Sequence, residues 1–189
     1  MKKSSSIFSI LAVALTLFAF TPPEGKLVSS KTQIKFFSHT SVEDIQAVNN
    51  ASVGTFDTET GNVVFSVPMQ SFEFEKALMQ KHFNSKKFLD TKAFPKAKLK
   101  GKITNISEVD FSKDGVYQTK VEGELTIKGV TKSVSEVGSV TVKGNTILVH
   151  STFNLTLADY NVTFVKGKPA SNIAKIVEVT VQAEYSSGS

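Results

Sequence analysis

The segment Lys96 to Ile103, KAKLKGKI, alternates without a break, with Lys96, Lys98, Lys100 and Lys102 on one side of an extended chain and Ala97, Leu99, Gly101 and Ile103 on the other. A strand with one wet and one apolar face needs another apolar face to cover it, so the chain must build a sheet with a buried side. Pro95 fixes where this strand begins, because it holds Phe94 extended and cannot continue the helical pattern upstream. The same period of two recurs elsewhere. Ile34, Phe36 and Ser38 alternate with Gln33, Lys35 and Phe37, the even set facing inward. Ile45 to Asp57 reads as one longer strand interrupted at Asn49-Asn50, and the turn cluster from Asp57 to Gly61 leads into Val63, Phe65 and Val67, stopped by Pro68.

Strands are predicted after Pro95 near 97–107, 116–128, 134–143, 145–157 and 173–185, the third and fourth joined by a tight hairpin at Lys143-Gly144-Asn145. A long polar loop with Gly167 and Pro169 spans 158–172. One helix is predicted, from about Glu73 to Asn84, with Ser71 as its cap, Glu73 and Glu75 at its positive end, and Phe74, Leu78 and His82 on one face. Eight antiparallel strands with one inserted helix make an all-β domain. Alternation alone leaves open whether they close as a barrel or stack as two sheets.

Lys2 and Lys3 before an apolar run from Ile7 to Phe20 form a secretory signal peptide over 1–20, too short for a comfortable membrane span. Residues 21–30 then read as a linker and 31–186 as a single domain, an expectation that suits a mature chain of 169 residues. Export implies a periplasmic or secreted location. With no cysteine there is neither a disulfide nor a lipoprotein anchor.

The net charge of +5 becomes +3 without Lys2 and Lys3, and all 22 basic residues are lysine. A chain without arginine lacks the bidentate groups that read bases, which argues against nucleic acid as a partner. The lysine stripe of 96–102 reads as a solvated sheet face, with transient attraction to anionic lipid head groups as its sharper use. No segment specifies an oligomeric state.

Three motifs carry a family resemblance. His82-Phe83, Phe88-Leu89-Asp90 and Phe94-Pro95, then Gly123-Glu124-Leu125-Thr126-Ile127-Lys128-Gly129-Val130-Thr131-Lys132, and more weakly Asp159-Tyr160-Asn161-Val162, resemble the YceI-like domain, a periplasmic isoprenoid-binding barrel, over roughly 31–185. The resemblance implies an eight-stranded antiparallel lipocalin-like barrel with one short inserted helix, holding an isoprenoid or similar lipid. The chain departs from the family at Met79 and Gln80, where many members have an arginine and an acid, and has no arginine near Asp159-Tyr160.

Fifteen phenylalanines with no tryptophan can line an apolar channel without needing hydrogen-bond partners, or can fill a core. With the resemblance, the candidate ligand-binding residues are Ile34, Phe36, Phe65, Val67, Phe83, Phe88, Leu99, Leu125, Phe153, Leu155 and Leu157. The segment Phe72 to Phe94 would cap one side. His39, His82 and His150 have no ligand spacing, so no metal or other cofactor is expected, and His82 is assigned a structural hydrogen bond, with Asp90 as partner. Neither G-x-S-x-G nor H-E-x-x-H occurs, so no catalytic residue is named. Two competing readings remain: a solidly packed interaction or stress-response protein whose lysine face meets a partner, and a hydrolase or isomerase working through His39 or His82.

Overall fold

A computed structural model describes residues 25–162 and 173–186. The expected signal peptide, the first part of the expected linker, most of the expected 158–172 loop and the last three residues lie outside the described residues. The strands are β1 (Lys26–His39), β2 (Asp44–Asn49), β3 (Val53–Asp57), β4 (Asn62–Pro68), β5 (Phe72–Phe74), β6 (Lys96–Ile103), β7 (Gly115–Ile127), β8 (Val130–Lys143), β9 (Thr146–Thr156) and β10 (Ile176–Ser186), with one helix, α1 (Ala77–Asn84).

All pairings are antiparallel, and the ring runs β1-β3-β4-β6-β7-β8-β9-β10 and back to β1 through Ile34↔Val181 and Phe36↔Val179. β2 and β3 both pair with one edge of β1, β3 at Lys26–Val28 and β2 at Ile34–His39, so together they are one interrupted strand of an eight-stranded barrel. The interruption has a cause. Asn49 is fully buried, its amide donates to the Pro68 carbonyl (2.7 Å), and its Oδ1 accepts from Ala51 N (3.0 Å) and Ser52 Oγ (2.9 Å). One side chain thus satisfies a kinked backbone that the sheet cannot.

Three boundaries differ from the sequence reading. β1 begins at Lys26, so 26–30 belong to the barrel rather than to a linker. The strand after Pro95 ends at Ile103, and a 3₁₀ turn occupies Ile106–Glu108. The helix starts at Ala77, capped at Lys76 without a side-chain hydrogen bond, because Phe72–Phe74 pairs with β2 as a strand and buries Phe72. Ser71 therefore caps nothing, Leu78 is 63% exposed, and Phe83 is the buried residue of α1.

The family-like motifs fold into mutually dependent turns. Lys128 (φ 49°) and Gly129 (φ 75°) make the two-residue hairpin between Ile127 and Val130. A Cβ on Gly129 would lie 2.8 Å from the Phe94 ring, so this glycine also makes room for the proline corner. β6 and β7 leave no room for a side chain where Gly101 faces Gly123, since a Cβ on Gly123 would sit 2.3 Å from the Lys100 carbonyl oxygen.

The interior divides into two. At one end Phe56, Ile103, Val140, Val142, Ile147 and Tyr185 pack into a solid cluster, with Phe56 edge-on to Tyr185 (centroids 5.8 Å) and tilted against Phe111 (5.9 Å). At the other, Ile34, Met69, Phe72, Phe83, Leu89, Ala97, Ile127 and Tyr160 form a second cluster around a space they do not fill.

Candidate functional site

The space is a cavity of about 580 Å³ enclosed by the barrel wall and by β5 and α1. Its rows follow from strand register. Phe36, Val179 and Phe153 are cross-strand neighbours on β1, β10 and β9, and Phe65, Leu99 and Leu125 on β4, β6 and β7. Val67 lies beyond Phe65, and Leu155 and Leu157 beyond Phe153, all on the inward parity. Ile34, Phe83 and Phe88 complete the set, so all eleven sequence-derived candidates face this one cavity. What they would bind is a separate question.

The cap is held by rings. Phe83 of α1 stacks on Phe36 (5.6 Å, 9° between planes) and meets Phe72 at 5.4 Å, Phe74 at 5.1 Å and Phe88 at 6.3 Å. Such pairs add about 0.5–1.5 kcal/mol each to area burial. The polypeptide behind α1 is anchored by buried Thr91, whose hydroxyl donates to Asn84 Oδ1 (2.8 Å) and whose carbonyl accepts from Gln70 Nε2 (3.2 Å). Among the described residues no hydrogen bond joins His82 to Asp90, so the bond expected of that pair is supplied by Asn84, Thr91 and Gln70 instead. His82 and Lys87 are exposed and also line the cavity, which marks where it meets solvent.

The other histidines stand apart. His39 Nδ1 lies 2.6 Å from Asp44 Oδ1 on the surface, and His150 is exposed on β9. Among the described residues no three His, Cys, Asp or Glu side chains could share a metal ion. The lysine stripe of β6 is outward as expected, but Lys100 and Lys102 sit opposite Glu124 and Glu122 of β7, which weakens its field.

Sequence reading missed the polar part of the lining. Glu136, on the inward parity of β8, and Tyr160, 3% exposed in the 3₁₀ turn Leu157–Tyr160, both face the cavity. Burial pushes the Glu136 carboxyl above its ordinary value. The Tyr160 phenol is raised by burial first and then by Asp159 and Glu136. Both could have been found: the even positions Val134, Val140 and Val142 place Glu136 inside, and Tyr160 belongs to the third motif.

The comparisons with known proteins agree with this architecture. A polyisoprenoid-binding domain from Saccharophagus degradans matches with a TM-score of 0.72 at 13% identity, over 87% of this chain and 99% of that one. Burkholderia cenocepacia BcnA matches with a TM-score of 0.68 at 18% identity, over 81% and 95%. A Campylobacter jejuni YCEI protein matches with a TM-score of 0.54 at 13% identity, over 98% and 94%. At these identities the likeness is one of fold. No curated protein matches the chain in sequence. The model of the YceI-like domain matches residues 26–185, which takes in every strand of the barrel but its last residue, and the chain belongs to that family.

Proposed function

We propose that the protein binds an isoprenoid or another long amphiphilic lipid inside the barrel, for storage or transport, outside the cytoplasm and without chemistry of its own. The observation that carries this reading is the cavity. By the scaling found for small engineered voids, a dry space of 580 Å³ would cost on the order of 14 kcal/mol, as much as the whole stability of a typical domain. An apolar chain offsets that cost by filling the space, and roughly twenty water-sized groups fit at about 30 Å³ each. Each buried methylene contributes about 0.8 kcal/mol before ordering costs. The name of the Saccharophagus degradans domain supports the same ligand class by analogy. The cavity supports this reading over that of an interaction protein with a solid core.

Delivery to a membrane fits the cap better than the β6 stripe. From Lys76 to Phe94 there are five lysines and one acid, Asp90, with Lys76 paired to Glu43 (2.8 Å), and Leu78 and Val42 project beside them, 63% and 64% exposed.

Solvent extraction of protein purified from its own host, followed by mass spectrometry, tests the binding. A long amphiphile near one per barrel is expected, and Phe153→Asp, which leaves the ring cluster on α1 untouched, should lose it. Equal lipid in the folded variant, or none in the parent, would overturn the reading.

A further inference from the structure

Within a largely apolar lining, Glu136 and Tyr160 bring polar side chains to the cavity. Among the described residues neither side chain makes a hydrogen bond, and Glu136 makes no ion pair. They share a wall, since the turn carrying Tyr160 packs on β8 and the two groups interact electrostatically. Ser151, in the next strand, also faces the cavity, and its hydroxyl donates to the Val137 carbonyl (2.7 Å), leaving its lone pairs to accept. Both side chains thus offer uncommitted hydrogen-bonding groups to one wall of the cavity, where a complementary polar group of a bound molecule would meet them.

We propose that Glu136 and Tyr160 form a recognition site on the β8 wall for a neutral hydroxyl or primary amide carried by the bound lipid. The proposal rests on the cavity being the lipid site. The chemistry is set by charge and by hydrogen-bond roles. A protonated carboxyl and a phenol each donate and accept, and so do an alcohol and a primary amide. A phosphate or carboxylate would meet Glu136, with Asp159 nearby and no cation on that wall among the described residues. Lys128, at the head of β8, is committed to the Asn161 carbonyl (2.9 Å). The exposed His82 and Lys87 suit an anion, but they stand at the rim. The site thus sorts lipids by what they carry inside the barrel, whereas the rim sees only what stays outside. The raised affinity of Glu136 for its proton, caused by burial, suits the neutral donor role.

The test is displacement of the neutral fluorophore N-phenyl-1-naphthylamine from the full-length mature protein by oleyl alcohol and by the matching hydrocarbon, 9-octadecene. The ratio of alcohol to hydrocarbon affinity should fall about 5–10-fold in Glu136→Leu and hold in Glu136→Gln, the value of one net hydrogen bond. Tyr160→Phe should lower the same ratio a few-fold. A ratio unmoved by Glu136→Leu and Tyr160→Phe sinks the recognition site while leaving the lipid cavity intact. Failure of both lipids to displace the fluorophore from the parent protein sinks the cavity reading and this site with it.

Discussion

The two ends of the barrel are made from the same strands and the same residue types, yet one is solid and the other hollow. At the solid end Phe56 and Tyr185 have no exposed surface and meet ring to ring across β3 and β10. At the hollow end Phe36 and Phe153 stand on equally regular strands but face space. The difference lies in what closes each end. The solid end is closed by wall residues reaching one another, assisted by Phe111 from a loop. The hollow end is closed by β5 and α1, which add Phe72, Phe74 and Phe83 as a roof instead of a filling. A roof keeps volume that a plug would remove.

If that contrast is right, substitutions at the two ends should separate stability from binding. Phe56→Ala should cost about 3–5 kcal/mol in denaturant unfolding, with lipid content per folded barrel unchanged. Phe83→Ala should cost less, about 1–3 kcal/mol because the ring borders a void, but should speed lipid release and hydrogen exchange at α1. Equal effects of the two on release would erase the distinction between plug and roof. Glu136→Gln should show in pH dependence. Because burial raises the folded-state value, the folded protein holds its proton to higher pH than the unfolded chain, so this group's contribution is full below the ordinary carboxylate range and is lost as pH rises through the folded value. A stability difference between parent and Glu136→Gln that grows across that window, in favour of the variant, is the expected outcome. The smallest effect belongs to Tyr185→Phe. The Tyr185 hydroxyl is buried without a partner, and burial pushes it far above its ordinary value, so its removal should be neutral or stabilising by up to about 1 kcal/mol in thermal unfolding.

Much of this was readable before any coordinates. A period of two assigns sides regardless of which strand is the neighbour, so Phe36, Phe65, Leu99 and Phe153 could be placed inward without knowing the ring order. Whether inward residues meet or stand apart was not readable, because alternation is identical for a filled and a hollow barrel. The helix start misled for a definable reason. Ser71, Glu73 and Glu75 carry capping chemistry, but burying Phe72 against β2 outweighs a cap worth about 1 kcal/mol. The interruption of the second strand at Asn49-Asn50 was legible, but its cause was not, because Asn49 reaches Pro68, nineteen residues away, a contact no local pattern encodes.

That break has a consequence for how cargo could pass. β3 is stitched to β4 by Val53–Phe56 against Val63–Ser66, whereas β2 leaves that partner and holds only Phe72–Phe74 on its far edge. The ring of backbone bonds is complete below Asn49 and parted above it. Lifting β5 and α1 sacrifices a three-residue ladder and a few ring contacts, and leaves the closed hoop untouched. Under the proposed lipid binding, loading and unloading would then proceed on a clock of their own, independent of how long the shell itself survives.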